Sequence, residues 1–505
     1  MKSTFIILAV AMGLATTSFA QEANSDSISK VIANAKQGDA NAQNQVGAWY
    51  YAGTHVKQDY DQAYEWWKMA ALQGHVGGIG NLGLCYQFGR GVEKDSVDAM
   101  RLYMKSIKEG NKQLLAERSV RANNKSAFDG VLVAQCYQKG NGVEKNMAKA
   151  IDYFAKAAAL NSVDAQRELA LCYVNNKETP KAVPWFKKAA EQGDVASAYY
   201  YGKMLMDGNG VAKDPQNAVI YLLKAANQDF PQAQVEAGNL YTTGTGVPKN
   251  EETAAQWYQK AAGNGNVHGA WNLALCYMKG SGIKRDYDQA MFWFAEAVAG
   301  GYKRSFKKML EENDEVKQSA FPHFLKGMKF YLIDKKYDEA MKEYKVVAKA
   351  KVAEGKTMQG VCYANNNYSK SNVKKAVKLL SETCNTHPAS AFYLASLYEN
   401  GKGVEKDMER ALELYIQSAH DGYGTAQSYL GDIYYEGRGT AQDYAKAVEY
   451  YTQAYAQRQL TQNATKRLAS CYENGWGIAV NKEKAATLAK EKKENPISSL
   501  LEMVE

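Results

Sequence analysis

The segment Leu82-Gly83-Leu84-Cys85-Tyr86-Gln87-Phe88-Gly89-Arg90-Gly91-Val92 returns as Leu273-Ala274-Leu275-Cys276-Tyr277-Met278-Lys279-Gly280-Ser281-Gly282-Ile283. It returns again as Leu394-Ala395-Ser396-Leu397-Tyr398-Glu399-Asn400-Gly401-Lys402-Gly403-Val404. The first loop glycine sets a ruler: Gly53 to Gly89, Gly208 to Gly244, Gly244 to Gly280 and Gly401 to Gly437 are each 36 residues apart. A fixed period of this length marks a repeat array, in which each unit buries its apolar face against the next. The small residue of the string recurs at Gly47, Gly83, Ala134, Ala170, Gly202, Gly238, Ala274, Gly327, Gly360, Ala395, Gly431 and Ala469, giving twelve copies.

Each copy reads as two antiparallel helices. In the first, Ala42, Gly47 and Tyr50 stand at helical spacing, and the small residues let a neighbouring helix approach closely. Gly-x-Gly then supplies the positive φ that stops one helix and turns the chain back. Six residues after the first loop glycine stands Asp59, Asp95, Asn146, Asp214, Asn250, Asp286, Asp407, Asp443 or Asn481, each a helix N-cap in type. The second helix follows with Ala254, Trp257, Tyr258, Ala261 and Ala262 as its pattern. The fold class expected is all-α.

The combined pattern, Ala-x-x-x-Leu-Gly-x-x-Tyr-x-x-Gly-x-Gly-Val-x-x-Asp-x-x-x-Ala-x-x-Trp-Tyr-x-x-Ala-Ala, resembles the Sel-one-like repeat, a long-loop branch of the tetratricopeptide repeat superfamily. The resemblance implies a right-handed α-solenoid of about twelve helix-turn-helix repeats. It also implies an adaptor or scaffold role in protein–protein interaction, and no reaction.

Composition agrees with an array. A chain of 505 residues exceeds the size at which single cores stop growing. Its 35 Tyr, 14 Phe and 8 Trp exclude disorder. The charge, 62 Lys plus Arg against 54 Asp plus Glu, is spread along the chain without a basic run, so no nucleic-acid partner is expected. Residues 1–20 read as a signal peptide: Lys2, an apolar stretch from Phe5 to Ala15, and Ser18-Phe19-Ala20 at the cleavage point. Gln21 follows, so no lipid anchor is expected, and no later segment suits membrane insertion. The expectation is a periplasmic or secreted protein.

Two departures divide the array. The glycine ruler stretches by 15 residues around 111–126 and by 17 around 302–319, both read as inserted helical segments that kink the solenoid. The layout expected is 21–110 with repeats 1–2, 127–301 with repeats 3–7, 320–494 with repeats 8–12 and 495–505 as a C-terminal cap. The copy near Asn176 has a short loop, and Pro180 and Pro184 predict a late or bent second helix.

Chemistry finds little footing. Cys85, Cys136, Cys172, Cys276, Cys362 and Cys471 precede the repeat Tyr, and Cys384 lies on another helix. Equivalent helix positions lie about 8–10 Å apart, beyond disulfide reach, so no disulfides are expected. The cysteine-rich branch of the family, associated with penicillin binding, carries a Cys pair in each repeat, and this chain does not. The six His are dispersed without metal-ligand spacing, and His55 replaces a loop glycine. No catalytic motif or phosphate loop appears, so neither enzyme activity, cofactor nor metal is expected.

Binding has candidates. Three residues before the small position stand Tyr199, Val235, Trp271, Phe324 and Phe392. Nearby on the same helix face are Lys203, Met206, Gln232, Asn239, His268, Met278 and Tyr331. Such a row on the concave face would anchor a protein or peptide ligand. An alternative is a glycan, in a polysaccharide-export helper, because aromatic rings also stack on sugars. The competing reading is that these aromatics pack inside the solenoid.

Overall fold

The computed structural model describes residues 25–490, 496–501, 503 and 504. The expected signal peptide lies outside them. Every helix expected from the repeat pattern is present, and no strand occurs among the described residues. The chain is an α-solenoid of helix pairs.

Two compact units result, dividing between Tyr221 and Leu222. Unit 1 opens with α1 (Ser25–Lys36), then pairs α2 (Ala40–Ala52) with α3 (Tyr60–Leu72) and α4 (Val76–Phe88) with α5 (Ser96–Lys108). After α6 (Lys112–Asn123) come α7 (Ala127–Lys139) with α8 (Met147–Ala159), α9 (Val163–Asn175) with α10 (Thr179–Glu191), and α11 (Val195–Asp207). The division falls inside α12 (Pro215–Ala226). Unit 2 holds α13 (Pro231–Thr243) with α14 (Glu251–Gly263) and α15 (Val267–Lys279) with α16 (Tyr287–Ala297). A π-helical turn at Val298–Tyr302, α17 (Lys303–Glu312) and α18 (Asp314–Gln318) follow. Four pairs come next: α19 (Phe321–Leu332) with α20 (Tyr337–Lys349), α21 (Ala353–Ala364) with α22 (Val373–Thr383), α23 (Pro388–Asn400) with α24 (Met408–His420), and α25 (Gly424–Glu436) with α26 (Tyr444–Ala456). The unit ends with α27 (Gln462–Asn474), α28 (Lys482–Lys490) and the short α29 (Pro496–Leu501).

The nine Asp and Asn residues do cap second helices: Asp59 accepts from the Gln62 amide, Asp214 from Asn217, Asn250 from Thr253 and Asn481 from Lys484, and the other five do likewise. Within a pair, the small residue exists because an aromatic ring fills its place. A Cβ on Gly47 would lie 2.6 Å from Trp67, on Gly238 2.4 Å from Tyr258, and on Gly431 2.3 Å from Tyr451. Between repeats, the second loop glycine meets the preceding second helix: a Cβ on Gly282 would lie 2.0 Å from the Glu251 carbonyl oxygen. A buried Gln adds a further staple. Gln43, Gln166, Gln234 and Gln427 each donate to the carbonyl eight residues back, on the preceding helix.

Both inserted segments are helical. In the first, Arg118 of α6 is fully buried, donating to Asp129 at 2.9 Å and Gln87 at 3.0 Å over the ring of Tyr103. The short-loop copy starts its second helix at Thr179, with Pro180 in the first turn and Pro184 inside. The expected C-terminal cap needs correction. Leu500, Leu501 and Val504 are buried with α16 and α19, well before the last repeat in sequence, and Lys329 Nζ donates to the Val504 carbonyl at 2.6 Å. The apolar face beside the second insertion accepts them, so they do not close the array's final repeat.

Candidate functional site

The row read from the sequence divides between the two units. In unit 1, Tyr199, Lys203 and Met206 are half-buried on α11, with Tyr199 against Tyr200 and Lys203 paired with Asp207. In unit 2, Gln232 is exposed, while Asn239 is half-buried and accepts from the Tyr258 hydroxyl at 2.9 Å. His268 is exposed and meets the Tyr302 hydroxyl. Trp271 is half-buried, edge-on to Phe294 at 5.0 Å and tilted over Tyr302 at 5.2 Å. Tyr331 accepts from Asn365, and Phe392 sits among Tyr393, Tyr415, Tyr423 and Tyr429.

Three members are corrected outright. Phe324 is 0% exposed, Met278 5% and Val235 9%, all in the core of unit 2, so none offers a surface. Phe324 is covered by Tyr287, an aromatic contributed from another repeat.

The sequence reading missed a cavity of about 1150 Å³ in unit 2. Its walls come from three places far apart in sequence: Val267, Ala270, Phe292 and Trp293 on α15 and α16, Thr425 on α25 with Tyr455 of α26 and residues 458–462 leading into α27, and Ile497 with Met503 at the end. Two polar bridges hold the walls together. Arg458 pairs with Glu296 at 2.7 Å, and Gln459 donates to Gln289 at 2.9 Å. Lys303 and Arg458 bring positive charge and Glu296 negative charge to a surface that mixes Phe292, Trp293 and Tyr455 with Asn266, Thr425, Gln459, Thr461 and Gln462. Phe292 was a readable signal, because it adds a third aromatic before the usual pair Trp293-Phe294.

A cluster of titratable groups lies at the start of α16. One ligand atom from each of Asp286, Asp288 and His387 falls within 4.8 Å of the others. His387 precedes α23 and does not cap it. Burial, with Asp286 and Glu354 nearby, holds Asp288 well above the usual carboxylate range. Burial also raises Glu354, whose carboxylate accepts from the Tyr287 amide. About a hundred residues separate His387 from its neighbours, so no spacing rule brings them together. The seven cysteines are free and buried; burial pushes Cys85, Cys136 and Cys362 up to about 12 and makes them poor nucleophiles. No helix of the described residues is long and apolar enough to cross a membrane.

Comparison with known proteins agrees with the repeat reading. The family model of the Sel1 repeat matches residues 40–75, 79–111, 131–162, 163–194, 195–230, 231–266, 267–302, 388–423, 424–458 and 463–491. Among solved structures, the chain is similar to c5321, a protective antigen of uropathogenic Escherichia coli strains displaying an SLR fold. The two share 23% identity, covering 94% of this chain and 93% of that one at a TM-score of 0.39. It is also similar to a Sel1 repeat protein from Oxalobacter formigenes, at 28% identity over 57% of this chain and 81% of that one, TM-score 0.37. The pairs α19/α20 and α21/α22 lie outside the matched segments. With ten matched repeats over more than half of its length, the chain belongs to the Sel1 repeat family.

Proposed function

We propose that this chain is an exported, non-enzymatic adaptor that holds a segment of a protein partner in the cavity of unit 2. The observation that carries the reading is the ten Sel1 repeats, since proteins built from them generally mediate protein–protein interaction. The cavity supplies the place. It is large enough for several side chains of an extended segment, and it sets aromatic side chains beside polar and charged groups that could pair with a peptide backbone. Trp271 fits this reading better as a packed support than as an anchor, because Phe294 and Tyr302 occupy its surroundings. Export rests on the leader-like residues 1–20.

Thr425 provides the test. It is exposed and lines the cavity, so Thr425→Trp fills the space without opening the core. The wild-type chain, expressed with its leader, is expected in the extracytoplasmic fraction with Gln21 as its first residue and a reproducible partner bound. Thr425→Trp is expected to lose that partner at an unchanged melting temperature. Equal capture by both chains would move the site elsewhere, and retention of the leader inside the cell would overturn export.

A further inference from the structure

We infer that Asp286, Asp288 and His387 form a binding site for a divalent transition-metal ion of the zinc class, which clips the start of α16 to the start of α23. Three observations carry this. First, His387 is only 4% exposed, and its Nε2 is a buried polar atom with no hydrogen-bond partner. A buried polar atom left so costs stability unless something occupies its lone pair.

Second, the ring is oriented as a ligand. Thr357 Oγ1 lies 3.0 Å from the Ala353 carbonyl, 2.5 Å from Ser390 Oγ and 3.3 Å from His387 Nδ1. With its proton on the carbonyl or on Ser390, Thr357 accepts from His387 Nδ1–H, and in that tautomer Nε2 is unprotonated and faces Asp288 Oδ2 at 3.6 Å. Two lone-pair atoms then confront each other at a distance too long for a shared proton. A tetrahedral ion with bonds of about 2.0–2.1 Å separates its ligands by about 3.4 Å, close to what is seen. The hydrogen bond on the far ring nitrogen is the outer support that metal-binding histidines use.

Third, the charge calls for a cation. Asp286 spends one oxygen on the Gln289 amide at 2.9 Å, as a helix cap, and keeps the other available. Glu354, 2% exposed, adds a further carboxylate beside the cluster. Among the described residues, the cation facing Asp288 at ion-pair distance is His387 itself, and only if protonated. Mixed imidazole and carboxylate donors suit zinc better than calcium or magnesium, which prefer oxygen alone.

The experiment uses the untagged full chain, stripped with EDTA and titrated with Zn2+ against a chromophoric chelator. One tightly held Zn2+ per chain is expected, with a rise in melting temperature, and with Co2+ the intense visible absorption of a tetrahedral site. Asp286→Asn keeps the helix cap, as Asn250 does elsewhere, while removing a charge; Asp288→Asn and His387→Ala remove donors. Each is expected to weaken Zn2+ by about a hundredfold or more, since loss of outer support alone costs about 10–100-fold. Sub-stoichiometric binding by the wild type, or equal Zn2+ affinity in Asp286→Asn and Asp288→Asn, would overturn the site. Those two variants decide the matter if His387→Ala fails to fold.

Discussion

His75 shows how much one side chain does in this array. It stands where α4 begins, its Nδ1 accepting from the Gly78 amide at 2.9 Å, while Nε2 lies 3.0 Å from Asn41 Oδ1 on α2 and donates to it. The Nδ1 contact needs the neutral ring, because a protonated Nδ1 has no lone pair to accept with. Burial lowers its pKa from the ordinary 6.5, with Asp39 opposing. The unfolded chain therefore takes up the proton first as pH falls. The cap's contribution is present in full above the unfolded value and is lost as pH drops through the lower folded one. His75→Asn, which caps without titrating, is expected to remove this loss. The melting-temperature gap between wild type and variant should change between about pH 7 and about pH 5; a constant gap would contradict the role. Caps were legible because Asp and Asn announce them by type and spacing. Phe324 was not legible as core, because its cover, Tyr287, comes from another repeat and leaves no trace in the local pattern.

Between elements, the glycine–ring pair sets how closely two helices approach. Where the small residue is glycine, the opposing ring is often Trp or Tyr, whose polar tip then reaches the first helix: Trp67 donates to the Asn44 carbonyl, Tyr258 to Asn239 and Tyr451 to Asp432. Alanine at Ala134, Ala170 and Ala274 instead faces a repeat carrying Phe154, Phe186 or Phe294. Gly238→Ala should therefore push α13 from α14 and cost about 1–3 kcal/mol. Urea unfolding measures it, and Tyr258→Leu in the same chain should restore part of the loss. An unchanged midpoint would mean that the pair does not set the spacing. Helix pairs and their caps were readable from period and residue type. The buried Gln staples were not, since an Ala-Gln step within a helix looks like a solvent-facing position until the neighbouring repeat is in place.

At the scale of the whole molecule, sequence periodicity gives the solenoid but not what its ends and insertions touch. Leu500, Leu501 and Val504 illustrate this: their apolarity signals burial, yet their seat on α16 and α19 follows from the second insertion, which the repeat pattern does not describe. The cavity escapes the pattern for the same reason, since Glu296–Arg458 and Gln289–Gln459 join residues 162 and 170 positions apart. The direct test of the adaptor reading is amide hydrogen exchange of the full chain, free and bound to the partner captured by the wild type. The account predicts new protection concentrated in residues 262–303 and 425–462 of unit 2, around Trp293, Thr425 and Arg458. Protection confined to other repeats, with these segments unchanged, would contradict it.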